Sequence, residues 1–243
     1  MLAHLARIAI RGLLWLGPAA LLAGCVNAPT VPTAPATSGV IDAAAVVPSS
    51  ARTFDVDPAR TTVTMLVYRA GPLARLGHNH AIVSDLESGQ VWLGSSAPSS
   101  GCEIRVPVAA LVVDDPQARA SAGAEFAGTV PDDARAGTRA NMLRTEVLDA
   151  EHFPEIDVRC SGAEGTWQQV LVHATIRLKG VERNIDVPVA LDVANGVVTA
   201  TGAFQVRQSD FGITPFSVAG GAIQVADVVD VRFAITAVAR SKQ

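Results

Sequence analysis

The pattern that most constrains this chain is a two-residue alternation of apolar and other side chains, which recurs in successive runs from residue 156 to residue 235. This period is typical of β-strands with one covered face, because neighbouring side chains point to opposite sides of a sheet. Turn residues separate the runs, among them Asn195-Gly196, the dipeptide most typical of a two-residue hairpin. No run alternates with a helix in the manner of a βαβ unit, so the pattern predicts an antiparallel barrel or sandwich.

Strands are also predicted in the earlier part of the chain. The stretch from Thr61 to Leu93 holds two extended runs, with Val63, Met65 and Val67 on the one covered face of the first. A Gly/Pro break at residues 71–72 separates them, and the second run starts at His78. A further run from Cys102 through Ile104, Val106 and Val108 is predicted to continue to Val113 as one strand.

One helical excursion interrupts the strands. Helical spacing over Asp132–Leu148 places an apolar stripe on one side, and the preceding Gln117–Val130 segment is predicted to be irregular. The stripe consists of Ala136, Ala140, Leu143 and Val147. In all, the chain is predicted to have eight or nine strands. A barrel of about eight strands lined by small aliphatic side chains can leave room for one ligand.

Composition and motifs narrow the class of function. The hydrophobic fraction is 49%, but aromatic residues are only 5%, and 19 Lys and Arg face 23 Asp and Glu. Neither a basic patch nor a stacking platform is available, so nucleic acid is excluded as a partner. No nucleophile elbow, paired cysteine zinc spacing or phosphate loop occurs, and we therefore predict neither an enzyme nor a cofactor.

The amino terminus has the features of a secretion signal. Basic residues precede a short apolar stretch that ends in Leu-Ala-Gly-Cys, with the cysteine at position 25. This resembles a bacterial lipobox, which implies acylation of Cys25; the alternative is an ordinary signal peptide with a coincidental cysteine. We predict a signal peptide over 1–24, a disordered Pro/Ala/Thr tether over 25–52 and a folded domain over 53–243. Val26 follows the cysteine, which favours lipid anchoring at the periplasmic face of the outer membrane.

Several segments together resemble the YceI family of periplasmic proteins. They are FDVDPARTTVTMLV, NMLRTEVLDAEHFPEIDVRC, HATIRLKGVERNIDVPVAL, FQVRQSDFGI and VADVVDVRFAITAVA, in this order from Phe54 to Ala239. The resemblance implies an all-β fold, a lipocalin-like antiparallel barrel that binds an isoprenoid-type lipid or quinone for storage, transport or stress protection. The segment LARLGHNHAIV departs from the family pattern and suggests a histidine-bearing branch. The sequence leaves open whether the barrel forms a homodimer.

The candidate ligand contacts are the residues expected to face the barrel interior or its mouth. They are Val63, Met65, Val67, His78, His80, Val106, Val172, Ile176, Val187, Val189, Phe204, Arg207, Phe211 and Phe233.

The pair His78 and His80 is open to three interpretations. Two imidazoles two residues apart on a strand share a face and could hold a metal or haem, which would make the protein a metal- or haem-binding protein, even a catalytic one. They could instead contact a ligand headgroup, or one could bond locally while the other is solvated. Two protein ligands alone make a poor metal site, and no metal is therefore predicted. Arg207 likewise could pair with Asp210 or meet an anionic headgroup.

The two remaining cysteines are predicted to form a disulfide. Cys102 begins the strand before the excursion and Cys160 ends the strand after it. If these strands pair antiparallel, the two side chains lie opposite each other on one face. The alternative is two buried free thiols.

Overall fold

The computed structural model describes residues 46–84 and 88–240. The predicted signal peptide, Cys25 and the tether up to residue 45 lie outside the described residues. The strands are β1 (Arg52–Val56), β2 (Thr62–Ala70), β3 (His80–Ser84), β4 (Ser88–Leu93), β5 (Gly101–Pro107), β6 (Leu111–Val113), β7 (Glu155–Thr166), β8 (Gln169–Leu178), β9 (Val181–Ala194), β10 (Val197–Arg207), β11 (Ser217–Val218) and β12 (Ile223–Ala239). The helices are α1 (Pro116–Ala122) and α2 (Asp132–Met142).

Eight of these strands close into an antiparallel barrel, which confirms the predicted fold class. The order around the barrel is β1, β4, β5, β7, β8, β9, β10 and β12, and β12 pairs back onto β1 with Phe54 opposite Ala239. Closure leaves no unpaired edge within this ring. The Asn195-Gly196 hairpin between β9 and β10 is also confirmed, since both residues have positive φ, at 51° and 75°.

At one end of the barrel, the long strand β12 also pairs with β2, which begins a second wall formed by β2, β3 and β6. The first part of β12, from Gln224 to Ala234, pairs with β2, whereas its last residues pair with β1. The sheet continues from β2 to β3 and then to β6. This wall brings His80 to the barrel, because His80 pairs with Val67 and Val67 pairs with Val229 of β12.

The prediction of a single strand from Cys102 to Val113 is wrong. β5 ends at Pro107, a one-turn helix spans Val108–Ala110, and β6 then pairs with β3 instead of continuing beside β7. Proline has no N–H to continue a ladder. The N–H of the fully buried Val108 donates instead to the carbonyl of Pro154, which fixes the bend.

The excursion also differs from the prediction. The segment expected to be irregular contains α1, whose first turn is capped by the Asp115 carboxylate accepting from the N–H groups of residues 117 and 118. α2 ends at Met142 and not at Leu148, and Ala136 and Ala140 of the predicted stripe are exposed. Met142 is instead the buried residue of this helix. Tertiary packing therefore decides which face of α2 is covered.

The excursion covers the outer face of the second wall. Phe126 is fully buried against Leu66 and Ala81, and its ring meets that of Tyr68 edge to face with centroids 5.5 Å apart. β2 is therefore covered on both faces, and the prediction of one covered face is wrong. Among the described residues, no helix is long and apolar enough to cross a membrane.

Candidate functional site

An apolar cavity of about 500 Å³ occupies the barrel interior. This volume lies within the range of cavities that hold small organic ligands. Of the predicted ligand contacts, all except Arg207 line the cavity: Val63, Met65, Val67, His78, His80, Val106, Val172, Ile176, Val187, Val189, Phe204, Phe211 and Phe233. The two-residue alternation in the sequence therefore correctly places these side chains on one continuous surface, the wall of the cavity.

The cavity remains open because most of its wall consists of small or medium aliphatic side chains. β8 contributes Val170, Val172, Ala174, Ile176 and Leu178, every second residue along its length. The aromatic pair Phe204 and Phe233 lies across two neighbouring strands, with ring centroids 6.2 Å apart. Gly202 makes room for this pair, because a Cβ there would lie 2.6 Å from the ring of Phe233.

The two ends of the cavity differ in polarity. Trp92 and Trp167, which the sequence analysis did not single out, line the end formed by the β7–β8 turn. At the opposite end, where β10 finishes before Phe211, the lining includes His80, Thr138 and further polar side chains. A long apolar ligand would therefore meet His80 and Thr138 at one end and the indole rings of Trp92 and Trp167 at the other.

A buried ionic network holds His80 at the polar end. Its Nδ1 lies 2.7 Å from Oδ2 of Asp114, and its Nε2 lies 3.4 Å from Oγ1 of Thr138 on α2. Asp114 is 1% exposed and has a positive φ of 56°. Its Oδ1 accepts hydrogen bonds from the backbone N–H of Ala81 at 3.0 Å and from Nη1 of Arg119 at 2.6 Å.

The carboxyl of Asp114 is kept ionised by these partners. Burial alone raises its pKa, but the hydrogen bond and charge of His80, the guanidinium of Arg119 and the N–H of Ala81 together hold the pKa below its usual value. Arg119 extends the network, because it also donates to the carbonyls of Asn79 at 2.7 Å and Gly128 at 2.8 Å. The network thus ties α1 and the following loop to the start of β3.

Asn79 fixes the other side of the same segment. Its Oδ1 accepts from the backbone N–H of Arg69 at 3.0 Å, and its Nδ2 donates to the carbonyl of Glu125 at 3.2 Å. Because Asn79 is buried and satisfied in this way, the loop before β3 has a defined course. The His-Asn-His triplet therefore combines one structural residue with two that reach the cavity.

His78 and Arg207 are placed differently from His80. His78 lies before β3, is exposed, and has its ring centroid 6.2 Å from that of His80. Arg207 is exposed outside the cavity lining, and among the described residues no ion pair joins it to Asp210. The described part of the chain contains no group of three or more His, Cys, Asp or Glu residues placed to hold a metal ion.

Three residues of this site were missed by the sequence analysis: Asp114, Arg119 and Thr138. Asp114 lies in an Asp-Asp-Pro sequence that is typical of a turn, and Arg119 and Thr138 lie in the excursion. Asp114 and Thr138 lie 34 and 58 residues away from His80 in the sequence, so no local pattern indicates that they contact it. The structure also places a disulfide between Cys102 and Cys160, which face each other on β5 and β7.

Comparisons with known proteins agree with this geometry. The YceI-like domain family matches residues 54–237. Among solved structures, BcnA of Burkholderia cenocepacia is similar with 16% identity and a TM-score of 0.56, over 74% of this chain and 98% of BcnA. A polyisoprenoid binding domain from Saccharophagus degradans, implicated in plant cell wall breakdown, is similar with 14% identity and a TM-score of 0.52, over 77% and 98% of the two chains. No curated protein matches the chain.

Proposed function

This protein belongs to the YceI-like domain family, and on that premise we propose that it binds one apolar lipid of the isoprenoid type inside its barrel. The observation that carries the proposal is the cavity of about 500 Å³, whose walls are aliphatic from Val170 at one end to Leu178 near the other. The polyisoprenoid-binding domain of similar fold supports the choice of lipid class.

Elementary energetics favours a long hydrocarbon in such a cavity. Burial of each methylene-sized group is worth about 0.8 kcal/mol, so each five-carbon isoprenoid unit adds roughly 3–4 kcal/mol before losses. Association and ordering of the ligand cost several kcal/mol, and a chain of a few units offsets that cost. Because the wall between the two ends offers few polar groups, the shape of the barrel selects the hydrocarbon chain, and a headgroup is selected at an end of the cavity.

Charged substitutions inside the barrel test the proposal. Val172→Asp and Val189→Asp each place a carboxylate in the cavity wall, where an unpaired charge is costly and hydrocarbon is repelled. Leu171→Asp and Ala190→Asp are matched controls, because these neighbours on β8 and β9 point outward. We expect native mass spectrometry to find co-purified lipid with wild type and both controls, but not with the inward variants.

Circular dichroism has to show first that the inward variants are folded. If folded Val172→Asp and Val189→Asp retain lipid at the wild-type ratio, the ligand does not lie in this cavity. If wild type binds no prenyl lipid, either from cells or when geranylgeraniol is added, the proposed function is wrong.

The amino-terminal sequence supports a proposal for where the protein acts. We propose that Cys25 is acylated and anchors the domain to a membrane facing the periplasm, with the outer membrane favoured by Val26. The Cys25→Ser variant is then expected to remain without acyl groups and to keep its signal peptide, which changes its mass and its membrane fractionation. Unchanged fractionation and mass would contradict the lipobox interpretation and leave the lipid-binding proposal standing.

A further inference from the structure

The cavity reaches solvent mainly at its polar end. The exposed residues in its lining are Arg69, His78 and Gln224 at that end and Trp167 at the other. The first three belong to two segments, residues 69–79 around the β2–β3 loop and residues 213–226 around β11, hereafter the mouth segments. The mouth segments therefore border the main opening of the barrel.

Apolar side chains project from both mouth segments. Leu76 is 57% exposed and Val218 is 41% exposed, and Leu73 is also exposed. All three are described residues that lie outside the cavity lining. Single apolar residues on a surface are common, but three of them on adjoining segments around an opening form a patch of the kind that marks an interaction site.

The backbone holds this patch in place. The N–H of Leu73 donates to the carbonyl of Ala222 at 2.8 Å, and a one-turn helix follows over Ala74–Leu76. Gly71 has a φ of 90°, and a Cβ there would lie 2.7 Å from the same carbonyl oxygen. The β2–β3 loop is thereby fixed beside the start of β12, which pairs with β11 on its other side. Because the backbone is already ordered, binding a partner loses little conformational entropy.

The mouth segments carry positive charge and contain no acidic residue. The segment 69–79 includes Arg69 and Arg75, and the segment 213–226 has no charged residue, although the whole chain has a net charge of −4. Both arginines are exposed, and among the described residues neither forms an ion pair. The next acidic residue, Asp227, already accepts hydrogen bonds on both carboxylate oxygens. The patch is therefore complementary to an anionic surface.

From these observations we propose that the mouth segments dock on a lipid bilayer that contains anionic lipids. The three apolar side chains enter the boundary between headgroups and acyl chains, and Arg69 and Arg75 meet lipid phosphates. The opening of the cavity then faces the bilayer, so that a lipid passes between bilayer and barrel without crossing water. The docking surface does not depend on the proposed function, but this consequence for lipid exchange rests on it.

The end that carries Trp167 is the competing docking surface. Its indole ring is exposed, and tryptophan suits a membrane interface because one part of the ring is apolar and the other is polar. The charged residues nearest to its turn along β7 and β9 are acidic, however. Glu164 precedes the turn, and Asp192 follows Leu191, whose N–H donates to the carbonyl of Gln168. An anionic bilayer repels these carboxylates and therefore favours the mouth segments.

A fluorescent label on an introduced cysteine tests the docking in the full chain. Leu76→Cys carries an environment-sensitive dye in a mouth segment, and Val193→Cys carries it at an exposed position at the opposite end of the barrel. Cys102 and Cys160 are bridged, and the unsubstituted chain, treated alike, measures any label on Cys25.

Each labelled protein is reconstituted in phosphatidylcholine vesicles with brominated acyl chains, either with or without phosphatidylglycerol. We expect the emission from residue 76 to shift to the blue and to be quenched by bromine when phosphatidylglycerol is present, whereas the emission from residue 193 stays unchanged. An absent response, an equal response at both positions, or a response at residue 76 that ignores phosphatidylglycerol would overturn the proposal. A blue shift without vesicles that grows with protein concentration would assign the patch to a second copy of the chain instead.

Arginine variants of the labelled Leu76→Cys chain then test the role of charge. Arg75→Gln and Arg69→Gln are each expected to lower the ratio of docked to undocked protein about fivefold. Arg52→Gln is the matched control, because Arg52 is exposed and begins β1 at the opposite end of the barrel. Equal effects of all three substitutions would contradict a specific contact between the mouth segments and anionic lipid.

Failure of this inference is distinguishable from failure of the proposed function. The double variant Leu73→Ser and Leu76→Ser, once circular dichroism shows that it is folded, is expected to bind geranylgeraniol with wild-type affinity, because neither residue lines the cavity. It is expected to take geranylgeraniol from phosphatidylglycerol vesicles more slowly than wild type. Uptake at the wild-type rate would show that the lipid does not enter through a docked opening. If the vesicles dock but no geranylgeraniol binds, the proposed function is wrong and the docking surface stands.

Discussion

Removal of the Arg119 guanidinium is expected to destabilise the fold strongly, because it leaves the buried charge of Asp114 without its arginine partner. Arg119→Met keeps most of the apolar length of the side chain and deletes its three hydrogen bonds, to Asp114, Asn79 and Gly128. Water can replace the bond to the exposed Gly128, but it cannot reach Asp114, which is 1% exposed. Most of the expected decrease in the free energy of unfolding therefore comes from the carboxylate of Asp114.

The size of the effect follows from these contacts. Removing one partner of a buried ion pair costs about 3–5 kcal/mol. Asp114 keeps its hydrogen bonds from His80 and from the N–H of Ala81, which places the expected loss near the lower limit, at about 3 kcal/mol. With a urea dependence of about 2 kcal/mol per molar, the unfolding midpoint falls by about 1.5 M. Urea titration followed by circular dichroism measures this shift at neutral pH.

A matched control separates the buried pair from arginine loss in general. Arg135→Met removes an arginine of α2 whose ion-pair partner, Asp132, is 91% exposed, and the expected loss is less than about 1 kcal/mol. If Arg119→Met costs no more than Arg135→Met, Asp114 is not a buried charge that depends on Arg119.

Acid provides a second measurement on the same pair. The folded-state pKa of Asp114 is lowered from its ordinary value of 3.8, so its stabilisation is complete above that value and is lost as pH falls through the folded-state pKa. The difference in unfolding free energy between wild type and Arg119→Met is therefore expected to shrink as pH falls below about 4. A difference that stays constant down to pH 2 would contradict an ionised Asp114.

Three further measurements concern other parts of the barrel. Replacing Cys102 and Cys160 together by serine should lower the free energy of unfolding by about 4 kcal/mol in the chain-entropy model, since the bridge closes a separation of 58 residues; two reactive thiols in unreduced, denatured wild type would exclude the bridge. Tyr68 is the single tyrosine, and burial together with its hydrogen bond to Asp230 raises its pKa to about 12; ultraviolet titration of the folded protein should show this value, and a midpoint near 10 would count against that environment. Phe126→Ala should cost about 3–5 kcal/mol in urea unfolding, and a cost below 1 kcal/mol would mean that α1 and its loop do not pack on β2.

Much of the fold was predictable from local patterns. The alternation along β8, the Asn195-Gly196 turn and the facing positions of Cys102 and Cys160 all depend on short-range rules of strand geometry. The same rules placed every predicted ligand contact except Arg207 in the cavity wall, because in a closed barrel every second side chain of a strand faces the interior. The break at Pro107 was missed, since the apolar pattern continues through it to Val113 and only the pairing of β6 with β3 reveals the bend.

The polar part of the site was only half predictable. The sequence identified His78 and His80 as a pair of candidate site residues. In the structure His78 is exposed, whereas His80 is largely enclosed. The partners that decide the chemistry of His80 lie on segments whose sequence resembles a turn, an irregular loop and a helix. Ala136 and Ala140 were expected to pack, yet Thr138 on the same helix reaches the cavity.

The sequence by itself determined the class of the fold, the inward positions of the barrel strands and the apolar character of the interior, because each of these follows from the two-residue period of a strand. Tertiary structure alone decided where the chain leaves the barrel, which face of α2 is buried and how Asp114, Arg119 and Thr138 meet His80. The physical reason is the distance along the chain over which each effect acts. Strand periodicity acts between neighbours, whereas the burial of a charge depends on contacts between residues that are far apart in the chain.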